Sequence, residues 1–436
     1  MGIIARAVFQ PFLDGPHGSR GESAHRERLA RMRVLVYEQF HPGHYYHYLH
    51  FLLPALLEVT NDVVVAITPE GRRSAEFAEL LAPYAGRVTF EPILPYGHDR
   101  VIKNQKWGLH GDLRDAVRRT KPDYVLAPSA DTQTTAMGLF RIAGLGGLPG
   151  HRPGEAGFHS GRGVAGPGLM QAGRDRLDEL KLAASGWTRL HIVNLLFYEH
   201  LQVRGGVLAR KSSLLPHPVK PNEYSKTESR RVLGIPADGR VIGLAGLIDY
   251  RKAVAELLTA FRRATNRSTD RLLLAGPLAR NHRQTIETSY RDLVDSGRVI
   301  VLDRFLAGDD LQRALAAMDV VCTPYPGFLA LSSVLLEGLA AGRPVLSNNI
   351  GWCDAIVKRF GAGWTCDLHN PDAFAGAIRT ALDECESYRH SEATLRLLAF
   401  HKPENFAASF LQGLRSFAGL PPSSELRSWS WVLPRT

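Results

Sequence analysis

A chain of 436 residues, 44% hydrophobic and 22% charged, has ordinary globular composition and room for two or three domains. Collagen, wholesale disorder and a small disulfide scaffold are excluded. Its 53 basic and 43 acidic residues leave a net charge of +10, which points to nucleic acid, an anionic membrane face or a phosphorylated small molecule as partner.

Residues 1–31 hold scattered Gly, Pro, His and Arg with no lasting period. They are expected to be disordered or to precede a true start at Met32, and they make a poor signal peptide. From Met32 short apolar strands alternate with helical periods. Strands are expected at 32–37, 61–68, 87–93 and 123–128, and helices at 46–58, 73–81 and 107–120. Residues 143–173 are dense in Gly and Pro and read as loop. A helix at 174–184 and a strand at 190–194 follow, then a helix through Tyr198.

The stretch 213–224 holds three prolines and reads as a linker. Beyond it the rhythm restarts, with strands at 240–246, 270–276, 298–303, 319–324 and 344–348. Helices are expected at 253–265, 285–296, 309–318 and 333–341. Continuous apolar strands separated by helices predict parallel sheets covered on both faces. The fold expected is α/β, two doubly wound Rossmann-like domains facing across a cleft, over 32–218 and 219–400. A helix over 401–420 would return to the first domain, with a tail at 421–436. Ligands would lie beyond the carboxyl ends of the strands.

Several chemistries are disfavoured. Cys322, Cys353, Cys366 and Cys385 form no Cys-x-x-Cys pair, so they read as reduced thiols of a cytoplasmic protein. No apolar run is long enough to span a membrane. His41, His44, His47 and His50 recur at three-residue spacing, but no Cys or carboxylate completes a metal geometry. Gly161, Gly163 and Gly166 match a dinucleotide fingerprint, yet no strong strand precedes them and Pro167 follows at once. No basic stripe with interleaved aromatics appears, which disfavours nucleic acid.

The second half carries the sharpest motifs. GLIDYRKAVAELLTAF (246–261) places Lys252 after a strand and a glycine turn, at the start of a helix. A cation there, beside free N–H groups, suits a diphosphate; the alternative is a solvated surface lysine. Glu337 interrupts an apolar helix and is costly to bury without partners, such as a structural salt bridge. Ser332 and Ser333 can cap that helix and present hydroxyls and N–H groups to phosphate. Arg304 and Phe305 follow a strand, where Phe305 offers a stacking surface.

GLIDYRKAVAELLTAF, RLLLAGP (271–277) and AMDVVCTPYPGFLALSSVLLEGLAAGRPVLSNN (317–349) together resemble the family-4 retaining glycosyltransferases of GT-B fold, the glycosyl transferases group 1 type. The resemblance implies transfer of a sugar from a nucleotide-diphosphate sugar to a hydroxyl of a glycan or glycolipid, with retention. No Asp-x-Asp pair is present to hold a cation on a diphosphate, and neither metal nor other cofactor is expected. Lys252 would neutralise the leaving diphosphate with Arg251, and Glu337 would hold the ribose. Gly246, Ser332, Ser333, Arg304 and Phe305 complete the expected donor site. Leu247 stands where the family has a phosphate-clamping arginine, and Leu329 where it has a sugar-contacting glutamate. These departures keep open a catalytically weakened nucleotide-sugar-binding protein, or an epimerase on the same fold. His159 is the expected cleft histidine, and Gly43 and His44 lie on the acceptor side, with Glu155 and Arg162 as lesser candidates. The unassigned basic excess fits peripheral attachment to the inner face of a membrane.

Overall fold

A computed structural model describes residues 29, 31–41, 43–95, 108–144, 148, 152–159, 169–306 and 308–433. Most of 1–31, together with Arg162, Gly161, Gly163 and Gly166, lies outside these residues. Two parallel sheets organise the chain. With strands counted in chain order, the first sheet runs 3-2-1-4-5-6-7 and the second 10-9-8-11-12-13, both with the strand reversal of a doubly wound fold.

In the first sheet β1 (Arg33–Tyr37), β2 (Asp62–Ala66), β3 (Thr89–Glu91) and β4 (Tyr124–Ala127) fall where the apolar runs predict them. Helix α1 (His44–Leu56) follows β1, and α2 (Asp131–Ile142) follows β4. The Gly-rich stretch 143–173 contains a central strand, β5 (Gly154–Phe158), and the start of α3 (Leu169–Ala184). The loop reading fails for a steric reason. A Cβ on Gly154 would lie 2.6 Å from the Val125 carbonyl oxygen, and one on Gly157 would lie 1.9 Å from that of Pro128. Close strand approach selects glycine here and erases the β-branched signature. β6 (Arg189–Ile192), α4 (Leu195–Arg204), α5 (Gly206–Lys211) and the edge strand β7 (Ser212–Leu214) complete the domain. β7 occupies the start of the stretch read as linker.

The second sheet contains β8 (Val241–Ala245), β9 (Arg271–Ala275), β10 (Val299–Leu302), β11 (Val320–Thr323), β12 (Val345–Asn348) and β13 (Gly363–Cys366). Helix α6 (Val254–Ala264) follows β8, α7 (Ser333–Ala340) follows β11 and α8 (Gly351–Phe360) follows β12. The helix expected over 285–296 is broken at Tyr290 into Arg280–Ser289 and Arg291–Asp295. Each sheet carries apolar clusters on both faces, as parallel sheets require. The four cysteines are free and buried. Among the described residues no helix is long and apolar enough to cross a membrane.

After α9 (Glu392–Phe400) the chain crosses back. Phe406 and Phe410 of α10 (Pro403–Phe410) and Leu414 of α11 (Gln412–Phe417) join the core that holds Val34, Val36 and Leu49 of the first domain. The stretch read as a tail then carries α12 (Trp429–Val432), whose Trp429 and Val432 are buried in the second domain's core.

Two polar ties fix this crossover. Glu155, fully buried in β5, accepts hydrogen bonds from the Leu414 N–H at 2.7 Å, the Gly413 N–H at 3.1 Å and the Tyr124 hydroxyl at 3.1 Å, and lies 2.7 Å from His191 Nε2. The cleft role considered for Glu155, as a lesser alternative to His159, gives way to a structural one. At the joint, the Val219 N–H donates to the His401 carbonyl at 2.8 Å, and the His217 N–H lies 3.0 Å from His401 Nδ1.

Removing the Glu155 carboxylate strands three buried groups and one half-buried N–H, so Glu155→Leu should cost about 3–5 kcal/mol in urea denaturation; an unchanged midpoint would refute the tie. Burial holds the His401 ring down at about 4 and lowers His217 well below its usual value. An unfolded histidine titrates near 6.5. The stability linked to the neutral His401 is therefore intact above that pH and is lost as pH falls toward about 4. Denaturation at about pH 5 should show about 2 kcal/mol of this loss relative to about pH 7, and His401→Gln should flatten the slope.

Candidate functional site

The carboxyl ends of β8 and β11 bring the predicted donor residues together. Gly246 ends β8 in a left-handed conformation (φ 84°), and a Cβ there would lie 3.6 Å from Val334 and 3.8 Å from Lys252 Nζ. The bare glycine thus leaves a cradle between the lysine and the first turn of α7. Lys252 is buried, and its ammonium donates to the Ala245 carbonyl at 2.7 Å. It sits 5.6 Å from the Tyr325 ring centre. Burial pushes its pKa down to about 8, with Asp249 opposing and Arg251 adding to the shift. The ammonium remains the main form at neutral pH, but with weak local neutralisation.

Ser332 caps α7 by accepting from the Leu335 N–H at 3.2 Å. Ser333 opens the helix, and Glu337 lies one turn on, on the same face. The Glu337 Oε2 is inaccessible and has no hydrogen-bond partner among the described residues. Burial raises the pKa of this carboxyl to about 7. Among the described residues no salt bridge accounts for it. A cation and a helix N-terminus around a glycine cradle suit an anion, and an unpaired carboxylate suits a ligand's hydroxyl pair.

Arg251 is placed differently from expectation. Its guanidinium pairs with Asp249, with Nε 2.9 Å and Nη2 2.8 Å from Oδ2. Burial would raise the Asp249 pKa, but the hydrogen bonds from Arg251 hold it below the usual range. Arg304 likewise pairs with Asp310. Phe305 is 72% exposed and Leu247 58% exposed. Phe305 keeps a free face for stacking, and Leu247 places apolar surface where the motif would put a cation. Leu329 meets α8 closely: its Cα would lie 2.7 Å from a Cβ on Gly351.

Across the cleft His159 ends β5. Its backbone N–H donates to Asp131 at 3.0 Å, and its Nε2 lies 2.8 Å from the Pro128 carbonyl oxygen. That carbonyl requires a donor, so Nε2 carries the proton and Nδ1 is left as acceptor. The ring stacks on Tyr48 at 5.5 Å and lies 6.2 Å from His44. His44 begins α1 and is solvent-exposed; desolvation by the surrounding protein and the nearby His159 and His47 lower its pKa. Gly43 takes φ 115° and its N–H donates to Glu76 at 3.2 Å.

Three features escaped the sequence reading. Tyr48 donates or accepts at 2.8 Å with His217 Nδ1, linking the cleft histidines to the interdomain joint. Glu38, directly after β1, is buried with Oε2 unpartnered among the described residues, and burial raises its pKa to about 8. Asn194, after β6, reaches across to the Leu329 carbonyl at 3.4 Å. The available signal was positional: Glu38 and Asn194 both follow strands, where ligand-facing residues gather. Among the described residues no cluster of His, Cys, Asp or Glu could hold a metal.

Residues 239–384 match the family model described as Glycosyl transferases group 1. An uncharacterized glycosyltransferase of Methanocaldococcus jannaschii is 29% identical over 36% of this chain and 40% of its own length. The D-inositol 3-phosphate glycosyltransferase of Corynebacterium glutamicum is 28% identical over 38% and 40%. The chain thus spans about two fifths of the length of these curated relatives. Among solved structures, Anabaena HepE in complex with UDP and glucose aligns with a TM-score of 0.62 and 16% identity, over 88% of this chain and all of that one. Sucrose-phosphate synthase from Thermosynechococcus elongatus aligns at 0.64 and 15%, over 89% and 100%.

An unpartnered buried carboxylate destabilises the protein that holds it. Glu337→Leu should therefore stabilise the ligand-free chain by about 1 kcal/mol in denaturation above about pH 8, where the carboxylate is ionised. A loss of stability would mean that Glu337 has a structural partner.

Proposed function

We propose that this chain, whose fold is GT-B and whose second domain is of the glycosyl transferases group 1 type, is a glycosyltransferase. It moves a sugar from a nucleotide-diphosphate sugar to a hydroxyl of a glycan or glycolipid, with retention and without a metal. The observation that carries the reading is the meeting of the Lys252 ammonium and the first turn of α7 around Gly246. A diphosphate seated there gains a cation and helix N–H groups in a partly dry site, and both interactions strengthen as negative charge develops on the leaving group. The bond from the anomeric carbon to the diphosphate breaks, the acceptor oxygen bonds that carbon, and its proton leaves with the departing phosphate oxygen.

Glu337, one turn into α7 on the face of Ser333, accepts hydrogen bonds from the ribose hydroxyls through its carboxylate. Phe305 offers its open face to the base. His159, held by Pro128 and Asp131, turns Nδ1 toward a sugar or acceptor hydroxyl. Closure of the two domains keeps water from the donor. UDP-sugars are the first donors to test, because the Anabaena neighbour was solved with UDP and UDP-glucose.

A second reading is nucleotide-sugar binding without turnover. It is favoured by Leu247 and Leu329 and by the pairing of Arg251 with Asp249, which leaves Lys252 as the cation of the cradle. A thermal-shift panel of nucleotide sugars followed by an acceptor screen separates the two. Binding with product formation supports transfer, binding without product on any acceptor supports the second reading, and no shift with any donor removes both. For the transferase, Lys252→Ala should lower kcat by about 10²–10³-fold. Because the ligand-free lysine titrates at about 8, kcat/KM should fall as pH rises through that value. A profile flat to about pH 10 would overturn the role of the ammonium.

A further inference from the structure

The first domain carries a second concentration of unneutralised positive charge, remote from the cleft. At the amino-terminal ends of β5 and β6, where α2, α3 and α5 close, lies a cavity of about 440 Å³. It is lined by Arg141, Ile142, Ala184, Trp187, Val207 and Lys211. The cleft lies at the opposite, carboxyl ends of the same strands.

Arg141 and Lys211 have no carboxylate partner among the described residues. The Arg141 guanidinium lies over Gly186, where a Cβ would come within 2.3 Å of its Nη1. Lys211 is held by the carbonyl of Ala183 at 2.9 Å and the Ser185 hydroxyl at 3.3 Å. An ammonium has three donors, so one remains for a ligand. Burial pushes the Lys211 pKa down to about 8, and the Arg141 charge adds to the shift. Arg141 and Lys211 both line the recess, and the Arg141 charge acts on the Lys211 ammonium, so an anion seated there relieves their repulsion.

The rim of this recess is apolar. Ile142 and Val207, both lining it, are each 58% exposed. Leu180, exposed, lies one turn before Ala184 on α3, and Val203 stands almost wholly in solvent beside the α4–α5 turn. Arg210, exposed, adjoins Lys211. Exposed aliphatic side chains interleaved with cations match a surface that is acyl below and phosphate above. A free soluble anion would use the charges but not the rim.

We propose that the Arg141–Lys211 recess binds the phosphate of an anionic membrane lipid while Ile142, Val207, Leu180 and Val203 rest against its acyl layer. This surface gives the excess of basic residues a partner independent of the sugar-transfer reading, and it lies on a face the cleft does not use.

The full chain should co-sediment with vesicles of phosphatidylcholine and phosphatidylglycerol in equal parts and not with phosphatidylcholine alone. Two juxtamembrane cations are together worth about thirtyfold in partition. Arg141→Gln with Lys211→Gln should therefore weaken sedimentation by about that factor while the melting temperature is unchanged. Ile142→Ser with Val207→Ser, which leaves the charges in place, should weaken it as well. Equal sedimentation with neutral vesicles, or wild-type sedimentation by the double Gln variant, overturns the proposal. Inorganic phosphate is the second arm. A thermal shift that depends on Arg141 and Lys211, with no vesicle binding, assigns the recess to a soluble phosphate and overturns the lipid assignment.

Discussion

The cleft exists because a buried carboxylate holds the end of the chain against its beginning. Glu155 stands in the middle of the first sheet with no access to water, and an ionised group there is costly unless every lone pair is used. Two of its partners are backbone N–H groups at the start of α11, so the returning segment is part of the group's solvation. The apolar side chains of α10 and α11 then complete the core of the first domain. With the His217–His401 joint at the other crossing, the chain is tied at two points, and Asn194 beyond β6 reaches the Leu329 carbonyl beyond β11.

The same rule, applied in reverse, marks the site. Where polar groups serve structure they are saturated: Glu155 has four partners, Asp319 receives Arg230, Lys226 and the Val241 N–H, and Arg240 pairs with Asp270 and Asp383. Where they face the cleft they are left short. Among the described residues Glu337 and Glu38 each keep an oxygen without a partner, and Lys252 has a carbonyl but no carboxylate. Burying such groups unpaired costs stability that a ligand can return on binding. The contrast separates Glu155 from Glu337 although both are carboxylates within apolar elements.

Much of the architecture was legible because parallel strands buried on both faces are written as unbroken apolar runs. MRVLVY, DVVVA, RVIGLA and DVVCT announce themselves. β5 did not, because GEAGF answers to its neighbours and not to propensity: two of its residues are glycine where adjoining backbone leaves no space for a Cβ. The last helix was missed because its WSWV core is too short to show a period. Gly246, Lys252 and Glu337 could be placed in space from the sequence because each sits at a fixed offset from a strand end or within a helix, where local sequence sets position. Arg251 was not, since its pairing with Asp249 two residues back competes with any ligand and depends on the shape of that turn.

The sequence by itself determined the α/β alternation, the placing of Gly246, Lys252 and a helix start after strand ends, and the resemblance of residues 239–384 to the glycosyl transferases group 1. These follow from periodicity and spacing, which are local. It could not assign partners across long separations. Whether a carboxylate at 155 solvates a helix at 413, whether His217 meets Tyr48 and His401, and whether Arg141 and Lys211 share a recess depend on which surfaces the folded chain brings together. Desolvation acts on groups adjacent in space, and only the tertiary structure decides which buried charges are paired and which are left waiting for a ligand.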